Sequence, residues 1–176
     1  SLAIPARQAG AAALFVPYLE TNLQADTVNI TRLSLSRGRL TLEEFIRAHE
    51  NYQGLVDWPS KVQSNWVRLY YSRPDETQTI DIPMTRDGSP LDPGLYFLQI
   101  EPTPALSEVP EQPMLLVVSP IQMALKISDR QAFVWAVRIA GNEPAADLNI
   151  MFYDERGEAR GSCVTGAEGT CQAELA

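Results

Sequence analysis

The chain is punctuated into short β-type runs, and this punctuation restricts it to strands joined by turns. Trp66-Val67-Arg68-Leu69-Tyr70-Tyr71 and residues 77–84, 94–101 and 114–119 are each rich in β-branched and aromatic side chains. Turn formers such as Arg73-Pro74-Asp75 and Arg86-Asp87-Gly88-Ser89-Pro90 separate them. An alternation that starts at Val28-Asn29-Ile30 slips by one at Arg32-Leu33-Ser34-Leu35-Ser36, the mark of either a β-bulge or a strand changing partners. Asp92-Pro93-Gly94 suits a tight turn with Gly94 at positive φ, launching a strand whose Leu95 and Phe97 face opposite to Tyr96 and Leu98. The exception to the β pattern is 41–49. There Thr41 and Glu44 have capping-box spacing, and Leu42, Phe45 and Ile46 share one helical face, which predicts a short helix crossing the end of a sandwich.

Residues 102–112 change composition, with Pro102, Pro104 and Pro110 among Thr, Ser and Glu. Proline donates nothing to a ladder, and the strand at 114–119 still needs a partner, so this stretch reads as a long hairpin loop. The boundary then falls near Ser119-Pro120. The expected organisation is an N-terminal extension with a candidate first strand over 1–24, a first β-sandwich over 25–119, and a second over 120–176. In the second unit the candidate strands are 121–127, 132–139, 148–153, 159–164 and 170–174. An immunoglobulin-like sandwich has about seven strands, so this unit is expected to be incomplete and either to dimerise or to be held more loosely than the first.

At 176 residues and 45% hydrophobic composition, the chain can build packed cores without a metal or cofactor. Its net charge of −8, with 14 basic residues spread among 22 acidic ones, argues against nucleic acid as a partner. No apolar run is long enough to span a bilayer, and no basic-then-apolar leader opens the chain. A start at Ser1 rather than Met is expected of a piece whose leader or lipid-anchored segment has been removed.

Cys163 and Cys171 are placed symmetrically about Ala167 in the Gly166-Ala167-Glu168-Gly169 turn, so a hairpin folded there would bring them opposite one another. That supports a disulfide and an exported protein; a reduced buried pair and a metal pair are the alternatives, although the spacing fits neither a redox Cys-x-x-Cys nor a zinc knuckle. His49, the single histidine, reads as a dipole partner at a helix C-terminus rather than a general base, and Glu43-Glu44 as first-turn helix chemistry. Trp66 and Trp135 lie inside apolar runs and are expected in cores, whereas Trp58, between Asp57 and Pro59, is the candidate surface contact. Asn29-Ile30-Thr31 fits a glycosylation sequon, a pattern common by chance and without consequence if the source is a bacterium. No serine sits in a Gly-x-Ser-x-Gly elbow, and no glycine-rich phosphate loop occurs. The expectation is no catalytic residue, no metal ligand, no cofactor and no enzyme activity.

The order Pro93-Gly94-Leu95-Tyr96-Phe97-Leu98, Met114 to Ser119, Phe133-Val134-Trp135-Ala136-Val137, Ala140-Gly141-Asn142-Glu143-Pro144, then Tyr153-Asp154-Glu155-Arg156-Gly157 and Thr165-Gly166-Ala167-Glu168-Gly169 resembles the amino-terminal macroglobulin-like domains of bacterial alpha-2-macroglobulins. The resemblance covers about 25–175. It implies an all-β fold of two consecutive immunoglobulin-like, macroglobulin-like sandwiches. It further implies a scaffold role in a periplasmic or extracellular protease-trapping inhibitor, lipoprotein-anchored in its full-length form, whose partners are neighbouring domains of the same polypeptide and, through the whole protein, target proteases. The family's thioester motif Cys-x-Glu-Gln is absent: the cysteines stand in Cys163-Val164-Thr165-Gly166 and Cys171-Gln172-Ala173-Glu174. Another class, a carbohydrate- or surface-binding sandwich module of an exported protein, would instead expose an aromatic row on a sheet face or a loop pocket.

Overall fold

A computed structural model describes residues 2–3, 13–50, 61–104, 113–154 and 156–176. The chain divides into two compact units, Ser1–Val118 and Ser119–Ala176.

The first unit contains β1 (Leu2–Ala3), β2 (Ala13–Pro17), β3 (Asn22–Val28), β4 (Arg32–Leu40), α1 (Leu42–Glu50), β5 (Ser64–Leu69), β6 (Thr77–Pro83), β7 (Gly94–Thr103) and β8 (Met114–Ser119), the last ending at the boundary. They form a five-stranded sheet in the order β2-β8-β7-β4-β5 and a three-stranded sheet in the order β1-β3-β6. The phase slip after Val28 is a strand changing partners. β3 pairs with β6, whereas β4 pairs with β5 and β7 in the other sheet. Asn29, at φ 60°, makes the crossing: its Oδ1 accepts from the Asp75 N–H at 2.8 Å and its Nδ2 donates to the Asp75 carboxylate at 2.9 Å. Short polar side chains tolerate the left-handed region because they can hydrogen-bond locally.

Residues 13–24, expected to lie in an extension with a candidate first strand, carry β2 and the start of β3 and are built into the sandwich. β2 is an edge of the five-stranded sheet and β3 pairs with β6 from Asn22 to Val28, with Val16 and Leu23 buried. β7 has apolar cover on both faces. Tyr96, Leu98 and Ile100 join Leu33, Leu35, Trp66, Ile80 and Ile82 between the sheets, while Phe97 packs with Leu40, Ala48, Leu115 and Phe45 beneath α1. The alternation expected for 95–98 is therefore real, and the helix explains why its second face is also apolar. Gly94 has φ 159°, positive as expected.

The capping box holds as read. The Thr41 N–H donates to Glu44 Oε2 at 2.8 Å, and the Glu44 N–H donates to Thr41 Oγ1 at 3.2 Å. The hydrogen bond from Lys61 (2.5 Å) and that from the Thr41 backbone hold the Glu44 carboxyl below its ordinary value. Its contribution is thus complete above the unfolded-state carboxylate pKa and is lost as pH falls through the lower folded value. Thr41→Ala is expected to destabilise the first unit by about 1 kcal/mol, read from the urea midpoint at neutral pH. An unchanged midpoint would show that α1 does not depend on its cap.

The second unit contains β9 (Ile121–Ile127), β10 (Gln131–Arg138), β11 (Glu143–Pro144), β12 (Asn149–Tyr153), β13 (Ala159–Val164) and β14 (Thr170–Glu174). β10 is the centre of the larger sheet: β9 flanks one edge, and β14 and then β11 flank the other. β12 and β13 form a separate two-stranded sheet. Val134, Ala136 and Ala145 form a small core with Leu148, Ile150, Phe152 and Cys171 against it. On β9, Met123, Leu125 and Ile127 share the face of Ala136, Val134 and Ala132 by register, yet each is more than half exposed. Ile121 at the start of β9 packs against the same small core as Ile150 and Phe152, but the rest of the inward row is only partly covered among the described residues.

Candidate functional site

Cys163 and Cys171 are joined by a disulfide, with Cα atoms 5.9 Å apart. The geometry differs from the expected hairpin pair. Cys163 lies opposite Ile150 on β12 and Cys171 opposite Val134 on β10, so the bond ties the two sheets of the unit together. The turn between them is closed by Gly166 N–H to Thr170 O and Gly169 N–H to Gly166 O, both 2.9 Å. Thr165 anchors it from within: its buried hydroxyl donates to Ala145 O at 2.6 Å and accepts from the Leu148 N–H at 2.9 Å. A closed loop this short adds about 2–3 kcal/mol in the chain-entropy model, so reduction should weaken the second unit by that amount. Thiol titration of denatured, unreduced protein checks the bond itself, and two reactive thiols would disprove it.

The tryptophans divide. Trp66 is 6% exposed and Tyr96 5%, inside the first core, but Trp135 is 51% exposed, against expectation. Phe-Val-Trp-Ala-Val can be threaded in either phase, and the small Ala132, Val134 and Ala136 take the inward row beside the disulfide. Phe133 and Trp135 are thereby turned outward as an aromatic pair, beside Lys126 and Ala124 of β9 and Gln172 and Thr170 of β14. Trp58 lies outside the described residues. His49 falls in the last turn of α1, and Glu43 forms an exposed i,i+4 ion pair with Arg47, as first-turn helix chemistry predicts. No group of three or more His, Cys, Asp and Glu among the described residues is placed to hold a metal ion, and no described helix is long and apolar enough to cross a membrane.

Sequence reasoning missed a polar groove of about 700 Å³ at one end of the first unit. Arg37 and Arg39 of β4 form one side, Gln63 and Ser64 continue it, and the loop bearing Arg86, Asp87 and Asp92 forms the other. Both guanidinium carbons stand over the Tyr96 ring, at 5.6 Å for Arg37 and 5.9 Å for Arg39. The Tyr96 hydroxyl donates to Asp92 O at 2.9 Å, fixing the ring. Burial pushes the Arg37 pKa below its ordinary value, opposed by Tyr96 and Asp87. The Asp87 carboxylate is held below its usual range by Ser89, which donates its hydroxyl at 2.7 Å and its N–H at 3.2 Å. The signal was present in the sequence: Leu33, Leu35, Arg37 and Arg39 continue one period-two row.

The architecture is thus a tandem of β-sandwich units, the first completed by a helix and the second stapled by a disulfide. No protein-family model matches the chain, and no curated protein matches it in sequence. Solved structures do match. Native alpha-2-macroglobulin from Escherichia coli, in a piece spanning domains NIE-MG1, is similar with a TM-score of 0.71 at 11% identity, covering 100% of this chain and 87% of that one. The longer piece spanning MG0-NIE-MG1 gives 0.74 at 10% identity, covering 100% and 57%. Salmonella alpha-2-macroglobulin reacted with methylamine gives 0.60 at 12% identity, covering 99% of this chain and 10% of that one. The fold is that of consecutive macroglobulin-like domains of bacterial alpha-2-macroglobulins, and the chain spans a tenth of the Salmonella protein's length.

Proposed function

We propose that the chain is a non-enzymatic scaffold piece of a bacterial alpha-2-macroglobulin-like, broad-spectrum protease-trapping protein, exported to the periplasm or beyond. The observation that carries this is the match of both units, in order and over the whole chain, to successive domains of such proteins. A disulfide agrees with an oxidising compartment. In this reading the work is mechanical. Rigid sandwiches transmit a rearrangement that begins elsewhere in the polypeptide, and the partly covered row Met123, Leu125 and Ile127 is where the second unit meets more of that polypeptide. In the chain alone, that row favours self-association or weak amide protection of β9 and β10, which sedimentation and hydrogen exchange report.

The test is made on the full-length protein. Incubated with an endopeptidase, it should retain the protease in a complex that still cleaves a small chromogenic substrate but is shielded from a large protein inhibitor. A protease that stays fully accessible after cleavage would overturn the trapping role. The outward Phe133 and Trp135 pair favours a second reading, a glycan- or surface-binding module. Saturable changes in tryptophan emission on adding oligosaccharides, lost in Trp135→Ala, would support it over the scaffold.

A further inference from the structure

Leu33, Leu35, Arg37 and Arg39 occupy alternate positions of β4 and so share the face turned toward the three-stranded sheet. The first two fill the core; at the same inward positions one turn of the pleat further on, the sequence places two cations. Arg39, at the mouth, is exposed, whereas Arg37 lies deeper, where a charge is seldom left unpaired. Arg37 is half-buried, its Nε is shielded from solvent and has no hydrogen-bond partner, and it forms no ion pair among the described residues. Arg39 spends one N–H group on Pro93 O at 3.1 Å. Asp87, the carboxylate whose field Arg37 feels, is engaged by Ser89 instead.

We propose that this groove binds a carboxylate carried on an extended protein segment, clasped by Arg37 and Arg39. Guanidinium forks match a carboxylate in shape and charge, and packing of both arginines over the Tyr96 ring pre-orders them. The rim sets the sign of the ligand. Arg37 and Arg39 on one side and Arg86, Asp87 and Asp92 on the other leave the groove with one net positive charge, which attracts an anion. Gln63 and Ser64 line the groove; Gln63 Oε1 already accepts from the Arg39 backbone N–H at 3.3 Å, so it is the Gln63 amide N–H group that faces a peptide backbone's carbonyls. Tyr96 is buried and presents no free face for a sugar ring. The chain as a whole carries −8, which opposes the approach of an acidic segment at long range, so attraction here comes from the local contacts of Arg37 and Arg39. The proposal concerns a local site and stands independently of the protease-trapping role.

The test titrates the 176-residue chain with a short oligoglutamate peptide, acetylated and amidated at its ends, following the peptide by NMR and calorimetry. Saturable binding that weakens with salt is expected, reduced about tenfold or more in Arg37→Gln and in Arg39→Gln, and unchanged in Arg73→Gln on a remote surface. Arg37→Lys, which keeps charge without the fork, should also weaken binding while leaving the fold intact, and Trp66 emission checks the fold of each variant. An oligoglutamine peptide that binds equally well, inorganic phosphate that competes more strongly than acetate, retention of full affinity in Arg37→Lys and Arg39→Gln, or no binding at millimolar peptide would each overturn the proposal.

Discussion

Gly38→Ala is expected to destabilise the first unit by at least about 3 kcal/mol, the upper range for overpacking. Gly38 lies in β4, opposite Phe97 of β7, on the face covered by α1. A Cβ there would stand 2.1 Å from the Lys61 carbonyl oxygen and 2.4 Å from the Phe97 ring. The nearer obstacle is backbone, which cannot swing aside as a side-chain end would. Phe97 is itself fully buried among Leu40, Ala48 and Leu115, so the ring has nowhere to go. The added methyl must push β4 from the chain that crosses it or drive Phe97 into its neighbours. Urea denaturation followed through the buried Trp66 reads the effect, and a midpoint within experimental error of the parent would mean that the crossing at Lys61 is not a fixed contact.

The β architecture was legible because its signals are local. Runs such as 77–83 and 114–119 combine β-branched residues with bounding turn formers, and the Thr41 and Glu44 spacing marks a helix start without any knowledge of its surroundings. The slip after Val28 was legible as an ambiguity, and tertiary pairing resolved it into a sheet crossing. What was not legible depends on which face of a strand meets another sheet. Trp135 was expected inside because aromatic bulk suggests burial, but small inward residues and a disulfide between the sheets took the inner row. The Arg37 and Arg39 groove was missed for the opposite reason. Arginine in a strand reads as a solvent-facing residue, and only the register with Leu33 and Leu35 shows that these two continue a buried row to the mouth of the sandwich. Trp58 lies outside the described residues.

Gly169→Ala is expected to cost the second unit about 2–4 kcal/mol, through two separate effects. Gly169 has φ 69°, where any side chain is strained, and that alone is worth on the order of 1 kcal/mol. Its Cβ would also stand 2.3 Å from the Ala136 carbonyl oxygen and 3.0 Å from the Ala145 nitrogen, two groups hydrogen-bonded to each other at 2.9 Å. The Ala136 N–H donates to the Gly169 oxygen at 2.8 Å, so the methyl forces apart the turn and the central strand that the same residue joins. A unit on the order of 60 residues has only a few kcal/mol in total, with a core of Val134, Ala136 and Ala145 and a partly covered β9. The loss is therefore comparable with its whole stability, and the disulfide would hold the two sheets together without restoring the hydrogen bonds between the turn and β10. Hydrogen exchange should show the Ala136 and Ala145 amides losing protection while amides of β4 and β7 in the first unit keep theirs. Equal protection of Ala136 in the variant and the parent would show that the turn is free to move away from β10, and that the disulfide rather than the Gly169 contact sets its place.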